Sequence, residues 1–349
     1  MATKKEEKQF EKERKAAVKA RQKRMKEIGL EKFLTPDQIK YNRRQRVIGA
    51  VWPVFRFLIL FGLCFIILYP LIFMLSTAFR PSEQMNDPSI IWIPKSFTMD
   101  NVKQTWGVMK FDKTLVNTII LNLVASILQV ATCSITGYGF ARFKFKGKNL
   151  LFGVVIMMII VPPQITTIPL YMQFAYFKPA FLAKIFTLGK STSLINSPWT
   201  MYLPALFANG IRAGLFIFIF RQFFRGLPKE LEDAAYLDGC SPLYTYVKIM
   251  IPNARQSFLT VFLFSIVWYW NDYYVSSSFF TNNDTVALML KNLNTNLTQQ
   301  LFDGQSVSVR QIIVWLEAGC LLSITPILVM YVFLQRYFVE GIEKSGLAN

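Results

Sequence analysis

Six uninterrupted apolar runs, each long enough to cross a bilayer, decide what this chain can become. They cover about residues 54–78, 115–141, 150–171, 201–220, 258–280 and 312–334. A spanning helix needs roughly 20 apolar residues, because the hydrocarbon core is about 30 Å thick. The runs are continuous rather than alternating, so the backbone is satisfied inside helices and not in a closed barrel. With 53% hydrophobic residues, the chain is too apolar for an ordinary soluble domain. The expected class is an all-α polytopic membrane protein with six transmembrane helices.

Charge orients these runs. Of the 39 Lys and Arg, 17 lie in 1–56, four in 142–149, five in 221–255 and two in 336–349. The alternate segments 80–113, 178–198 and 281–309 hold five, three and one. Short cytoplasmic segments collect Lys and Arg, so both termini and the segment 221–255 are expected in the cytoplasm of a bacterial-type plasma (inner) membrane. The net charge of +18 is thus a topology signal, and no nucleic-acid partner is expected. The N-terminus is a long charged segment rather than a short basic region before an apolar core, so the first run is expected to act as an uncleaved anchor. Residues 1–50 form a charged tail, dense in Lys, Arg and Glu between Lys4 and Lys26, with Gly29 and Pro36 interrupting any helix. Cys64, Cys133, Cys240 and Cys320 are scattered without a C-x-x-C pair and read as small hydrophobes.

The cytoplasmic segment between the fourth and fifth runs has its own order. Glu230-Leu231-Glu232-Asp233-Ala234-Ala235-Tyr236-Leu237-Asp238-Gly239 is followed by Ile249-Met250-Ile251-Pro252. Pro228 suits the first turn of a helix, where a missing N–H has no partner to lose. Glu230, Glu232 and Asp233 then complement the helix dipole. Gly239 can adopt the left-handed conformation that ends a helix. Ser241-Pro242 reads as the cap and first position of a second helix. Ala234 and Ala235 keep one face low, so that another protein can approach closely. A surface this ordered is expected to touch a partner rather than to lie on anionic lipid, which would repel its acids.

This segment resembles the EAA loop of ATP-binding-cassette (ABC) importer permeases, with Asp233 for the usual Glu and Ile251 for the usual Leu. The resemblance extends to 68–79, to Gly137-Tyr-Gly-Phe-Ala-Arg-Phe-Lys-Phe-Lys-Gly147, to Val161-Pro162-Pro163-Gln164, to 220–224, to Trp270-Asn271-Asp272 and to 335–338. Together these look like the smaller, six-span permease of maltose-type sugar importers. The resemblance implies an ABC importer type I permease fold. It divides the chain into a cytoplasmic tail (1–50), a first helix with its outer loop (51–112), a five-helix core (113–337) with a coupling loop at 225–252, and a C-terminal tail (338–349). It implies a second homologous permease, two ABC ATPase subunits and an extracytoplasmic solute-binding protein as partners, besides the lipid bilayer. Each ATPase would grip one loop through Glu230, Glu232, Asp233, Ala234, Ala235, Asp238, Gly239, Ile249 and Pro252. ATP would bind one conformation better and shift its population, a differential of about 5.5 kcal/mol for a near-complete switch. The charged tail and the outer loop 175–198 depart from the family pattern.

Residues carrying enzyme chemistry are missing. The chain has no histidine. Leu188-Gly189-Lys190-Ser191-Thr192 suggests a phosphate loop, but the required first glycine falls at Lys184. No catalytic residue, metal site or bound cofactor is expected; ATP and Mg would be used by the partner ATPase. Polar residues inside spans are the other candidates, since ionisable groups in lipid are costly and face the bundle interior. Arg212, Asp272 and Glu317 qualify, with Arg212 expected to pair with one of the acids. Trp268, Tyr269 and Trp270 suit either sugar stacking or an interfacial aromatic belt. Pro162, Pro163 and Pro169 are expected to break the third span beside the pathway. The expected function is the membrane-spanning subunit of an ATP-driven, binding-protein-dependent sugar or oligosaccharide importer. An importer for an amino acid or peptide, an ion-coupled secondary transporter and a membrane scaffold are the alternatives.

Overall fold

The computed structural model describes residues 16–17, 36–87, 90, 93–178, 180–189, 192–282, 285–302 and 307–346. The expectations for Lys4–Lys26 fall outside these apart from 16–17, which are helical. The chain divides into two units, Met1–Leu71 and Ile72–Asn349.

The first unit is dominated by helix α1, Pro36–Ala78, which runs on into the second. It opens at Pro36, where a proline costs nothing, and passes residues 50–51 without a break. Along the membrane-length stretch Val51–Ala78 the side chains are almost all exposed, with Met74, Thr77 and Ala78 buried at its end. A helix apolar on every side belongs in lipid.

The second unit is helical throughout, with no strand among the described residues. Its axis is α3, Phe111–Arg142, preceded by α2, Asp100–Met109. Lys110 joins them in the left-handed conformation, φ 47°. After α3 come α4 (Lys148–Ile160), α5 (Pro163–Ala175), α6 (Ala180–Phe186), α7 (Trp199–Leu206) and α8 (Ala213–Gly226). They are followed by α9 (Glu230–Leu237), α10 (Pro242–Thr245) and α11 (Arg255–Asn271). Helices α12 (Tyr274–Phe279), α13 (Val286–Lys291), α14 (Leu293–Phe302) and α15 (Val309–Gly346) complete the unit. Helices α3 and α8 meet almost backbone to backbone at Gly137, where an added Cβ would lie 2.6 Å from Phe220 Cβ. One core cluster joins α3, α4 and α8 to the loop between α8 and α11 through Cys133, Tyr138, Val155, Phe220, Phe224 and Tyr246.

Among the described residues three helices are long and apolar enough to span a membrane: Val51–Ala78, Phe111–Arg142 and Val309–Phe333. The other expected spans are broken. The run 150–171 is two helices, α4 and α5, bent by 102°. The break falls at Val161 and Pro162, both extended, and Pro163 opens α5. Pro169, expected to contribute, sits inside α5 without breaking it. The run 258–280 stops at Asn271 and resumes as α12.

The run 201–220 is not one helix but α7 and α8 joined by a turn, with Ala208 and Arg212 left-handed at φ 54° and 60°. Its carbonyls find donors on α3: Thr132 Oγ1 donates to Ala205 O at 2.7 Å and Gln129 Nε2 to Ile211 O at 2.6 Å. Cys133 Sγ lies 3.8 Å from Ala213 O. Irregular backbone at membrane depth survives only when protein satisfies it. Gly210 is needed there because any Cβ would lie 2.4 Å from both Gln129 Oε1 and Tyr269 Oη.

Candidate functional site

The loop between α8 and α11 is built much as its sequence suggests. Glu232 N and Asp233 N both bond to Lys229 O, at 2.9 and 3.0 Å, so α9 starts after Lys229. Pro228 therefore lies just outside the helix rather than in its first turn. Gly239, φ 81°, ends it, with Cys240 N bonded back to Ala235 O at 2.9 Å. Ser241 Oγ accepts from Tyr244 N at 3.3 Å and caps α10, with Pro242 in its first turn. A single widened turn, Tyr246–Met250, follows, closed by Ile251 N–H on Tyr246 O. The chain then bends by 80° between Pro242–Asn253 and α11.

The face that α9 turns inward is a surprise. Glu232 is 6% exposed and Ala235 3%, three residues apart and so on one side of the helix. Tyr138 Oη donates to Glu232 Oε1 at 2.6 Å. Arg142 Nε stands 3.0 Å from Glu232 Oε2, with both side chains below a tenth exposed. The approach is an ion pair rather than an aligned hydrogen bond. Arg142 Nη2 also donates to Leu227 O at 2.8 Å, holding the chain that enters α9. Further on, Tyr246 Oη and Ser134 Oγ bond at 2.6 Å. Both halves of the loop are thus fastened to the last three turns of α3.

Of the nine loop candidates, Glu232 and Ala235 face the bundle and are buried. Ile249 is half-buried against the core cluster. Glu230, Asp233, Ala234, Asp238, Gly239 and Pro252 are exposed, and beside them Leu237 is 89% exposed. Tyr138, Arg142, Ser134 and Tyr246 were not anticipated. Their signal was present, because Ser134, Tyr138 and Arg142 recur every four residues along one face of the helix.

A second feature lies in the same unit. A cleft of about 870 Å³ is lined by Pro163, Gln164, Arg212, Trp268, Asn271 and Asp272 among others. Arg212, in the left-handed position before α8, lays its guanidinium 4.3 Å from the Trp268 ring centroid. The expected ion pair does not form: among the described residues Arg212 reaches neither Asp272 nor Glu317. Asp272 is occupied as the cap of α12, accepting from Val275 N at 3.2 Å and from Ser276 N and Oγ at 2.8 Å each. Glu317 is half-buried on α15, away from the cleft lining. Trp270 is buried and donates to Ser323 O at 3.1 Å, and Tyr269 is buried on Gln129. Trp268 alone of the three aromatics stands in the cleft with substantial exposure, 40%. The structure therefore brings Arg212, Asp272 and Pro163 together and leaves Trp270, Glu317 and Pro162 outside the lining.

The family model of the binding-protein-dependent transport system inner membrane component matches residues 133–344, more than half of the chain. The chain belongs to this family. As such an inner membrane component it is integral to the membrane, and it is a transporter subunit. Among its relatives, the arabinooligosaccharides transport system permease protein AraQ of Halalkalibacterium halodurans is 29% identical over 301 residues, covering 84% of this chain and 97% of the relative. The trehalose transport system permease protein SugB of Mycobacterium tuberculosis is 25% identical over 280 residues, covering 80% and 92%. A solved bacterial ABC transporter involved in import of the acidic polysaccharide alginate superposes with a TM-score of 0.60 at 19% identity, over 85% of this chain and 98% of that one. The likeness shows the fold, that of an ABC importer permease. The family match begins at Cys133, so it takes in both the end of α3 and the loop that α3 holds.

Proposed function

We propose that this chain is one of two permease subunits of an ATP-driven importer of sugars or oligosaccharides, coupled to its ATPases through the loop 225–252. The observation that carries the reading is the ion pair that locks α9 to α3. A loop gripped by a motor moves the bundle only if it is stiff, and this one is fixed at Glu232 and again at Tyr246. The outward face, Asp233, Ala234, Leu237 and Asp238, is the surface offered to the ATPase. ATP and Mg belong to that partner, an extracytoplasmic binding protein delivers the solute, and a second permease completes the path. Both termini lie in the cytoplasm, as the distribution of Lys and Arg supports. The carbohydrate assignment draws on relatives named for arabinooligosaccharides and trehalose. The cleft holding Arg212, Trp268 and Asp272 is this subunit's share of the pathway, and the guanidinium over the indole ring has N–H groups to offer polar ligands.

The test is disulfide cross-linking from Leu237→Cys, in membranes holding the complete importer, to a cysteine in the ATPase surface cleft. Ala235, at 3% exposure, is the wrong site for this probe and serves as its control. A cross-link whose yield changes with ATP is the expected result. An active, assembled complex that gives none from Leu237 or Asp238 would overturn the coupling assignment.

A further inference from the structure

Three cations meet at the adjoining ends of α4 and α8, and among the described residues no protein anion answers them. Lys148 and Phe152 lie one turn apart on α4, and Arg221 and Arg225 one turn apart on α8. The Arg221 guanidinium stacks on the Phe152 ring at 3.8 Å, which brings the two faces together. All three charges are close enough to repel one another. Among the described residues none of the three forms an ion pair. Arg221 Nε is buried without a hydrogen-bond partner. The helices themselves are tightly packed beyond this point, since an added Cβ at Gly214 would sit 2.8 Å from Val155 O. Such crowding of like charge costs free energy unless an anion is present. On α4 Leu151, one turn on from Lys148, is 51% exposed.

We propose that Lys148, Arg221 and Arg225 bind the phosphate of an anionic phospholipid headgroup, with an acyl chain lying along Leu151. Phosphate offers several acceptors to these cations: Lys148 Nζ, which donates to Phe143 O at 2.8 Å, has further N–H groups to give, and the Arg221 guanidinium can present N–H groups from beside the Phe152 ring. A basic notch between helices at the cytoplasmic surface, with apolar flank below it, matches both ends of such a lipid. The site rests on the reading that puts segment 142–149 on the cytoplasmic side, where anionic lipids are concentrated.

The experiment is native mass spectrometry of the purified importer, released from nanodiscs of mixed phosphatidylglycerol and phosphatidylcholine. The wild type should retain phosphatidylglycerol selectively. Arg221→Gln with Arg225→Gln should bind it about thirtyfold more weakly, at roughly one kcal/mol per lost cation. Lys144→Gln with Lys146→Gln removes two equally basic neighbours and should leave retention unchanged. The exposed Arg225→Gln alone, measured beside thermal unfolding of the complex, keeps the test informative if the double variant fails to assemble. Equal loss from the Lys144 and Lys146 variant would mean diffuse attraction and overturn the site. So would unchanged retention in the arginine variants, or displacement of the lipid by millimolar inorganic phosphate. Lipid retention is read without ATP or solute, so it stands or falls separately from the transport assignment.

Discussion

Replacing Glu232 by alanine is expected to abolish coupled transport and to cost about 3–5 kcal/mol in docking of the loop between α8 and α11. The substitution leaves the Arg142 guanidinium, in a side chain only 6% exposed, without its carboxylate. It also removes the acceptor of Tyr138 Oη. A lone buried charge is far more costly than a missing pair, and this asymmetry supplies the test. Glu232→Gln combined with Arg142→Gln removes both charges and should melt at a higher temperature than either single variant. The cycle should give an interaction energy of about 2 kcal/mol. The functional readout is ATP hydrolysed per solute imported. With the loop loosened, the ATPase should turn over without solute, while exposed-face substitutions such as Asp233→Asn should weaken ATPase association and leave the melting temperature of the permease unchanged. Additive melting losses in the double variant would show that Glu232 and Arg142 do not act as a pair.

The helical class, the membrane-length runs and the caps of α9 and α10 were legible in the sequence because each depends on local chemistry. Apolar runs answer to bilayer thickness. Gly239, Ser241 and Pro242 answer to backbone geometry within a few residues. The break at Val161 and Pro162 was legible too, since a proline removes a donor wherever it stands. What escaped depends on contacts between distant segments. The run 201–220 reads as a span because nothing within it forbids one. It divides because Gln129 and Thr132, some 70 to 80 residues earlier, receive its carbonyls. Glu230, Glu232 and Asp233 look equivalent as a string of acids. Which of them turns inward is set by the position of Tyr138 and Arg142 across the groove. Arg142 was counted as a basic anchor of topology, and its pairing is invisible to a count. Asp272 was misjudged in the other direction. An intramembrane carboxylate suggests a charge partner, whereas its three bonds go to Val275 and Ser276, three and four residues on, which is ordinary helix capping.

Gly137→Ala is expected to prevent normal assembly of the bundle, although it adds a single methyl group. Its Cβ would lie 2.6 Å from Phe220 Cβ, 3.0 Å from Arg221 N and 3.1 Å from Ile217 O. Two of these are backbone atoms of α8 and the third is fixed to that backbone, so no side-chain rotation relieves the contact. Helices α3 and α8 would have to separate, and overpacking of this kind costs about 1–3 kcal/mol even in forgiving cores. Here the separation would pass directly to both anchors of the loop, because Tyr138 is the next residue and Ser134 lies three residues before. Gly139→Ala, two residues further along, meets nothing nearer than Phe143 Cδ2 at 3.9 Å and should be tolerated. The measurement is the yield and melting temperature of the detergent-solubilised complex for the two variants side by side. Gly137→Ala should lower both, with a shift in melting temperature of several degrees, while Gly139→Ala matches wild type. Were both variants to behave alike, the crossing of α3 and α8 would have to be looser than these distances require, and the loop would lose the rigid floor on which its leverage depends.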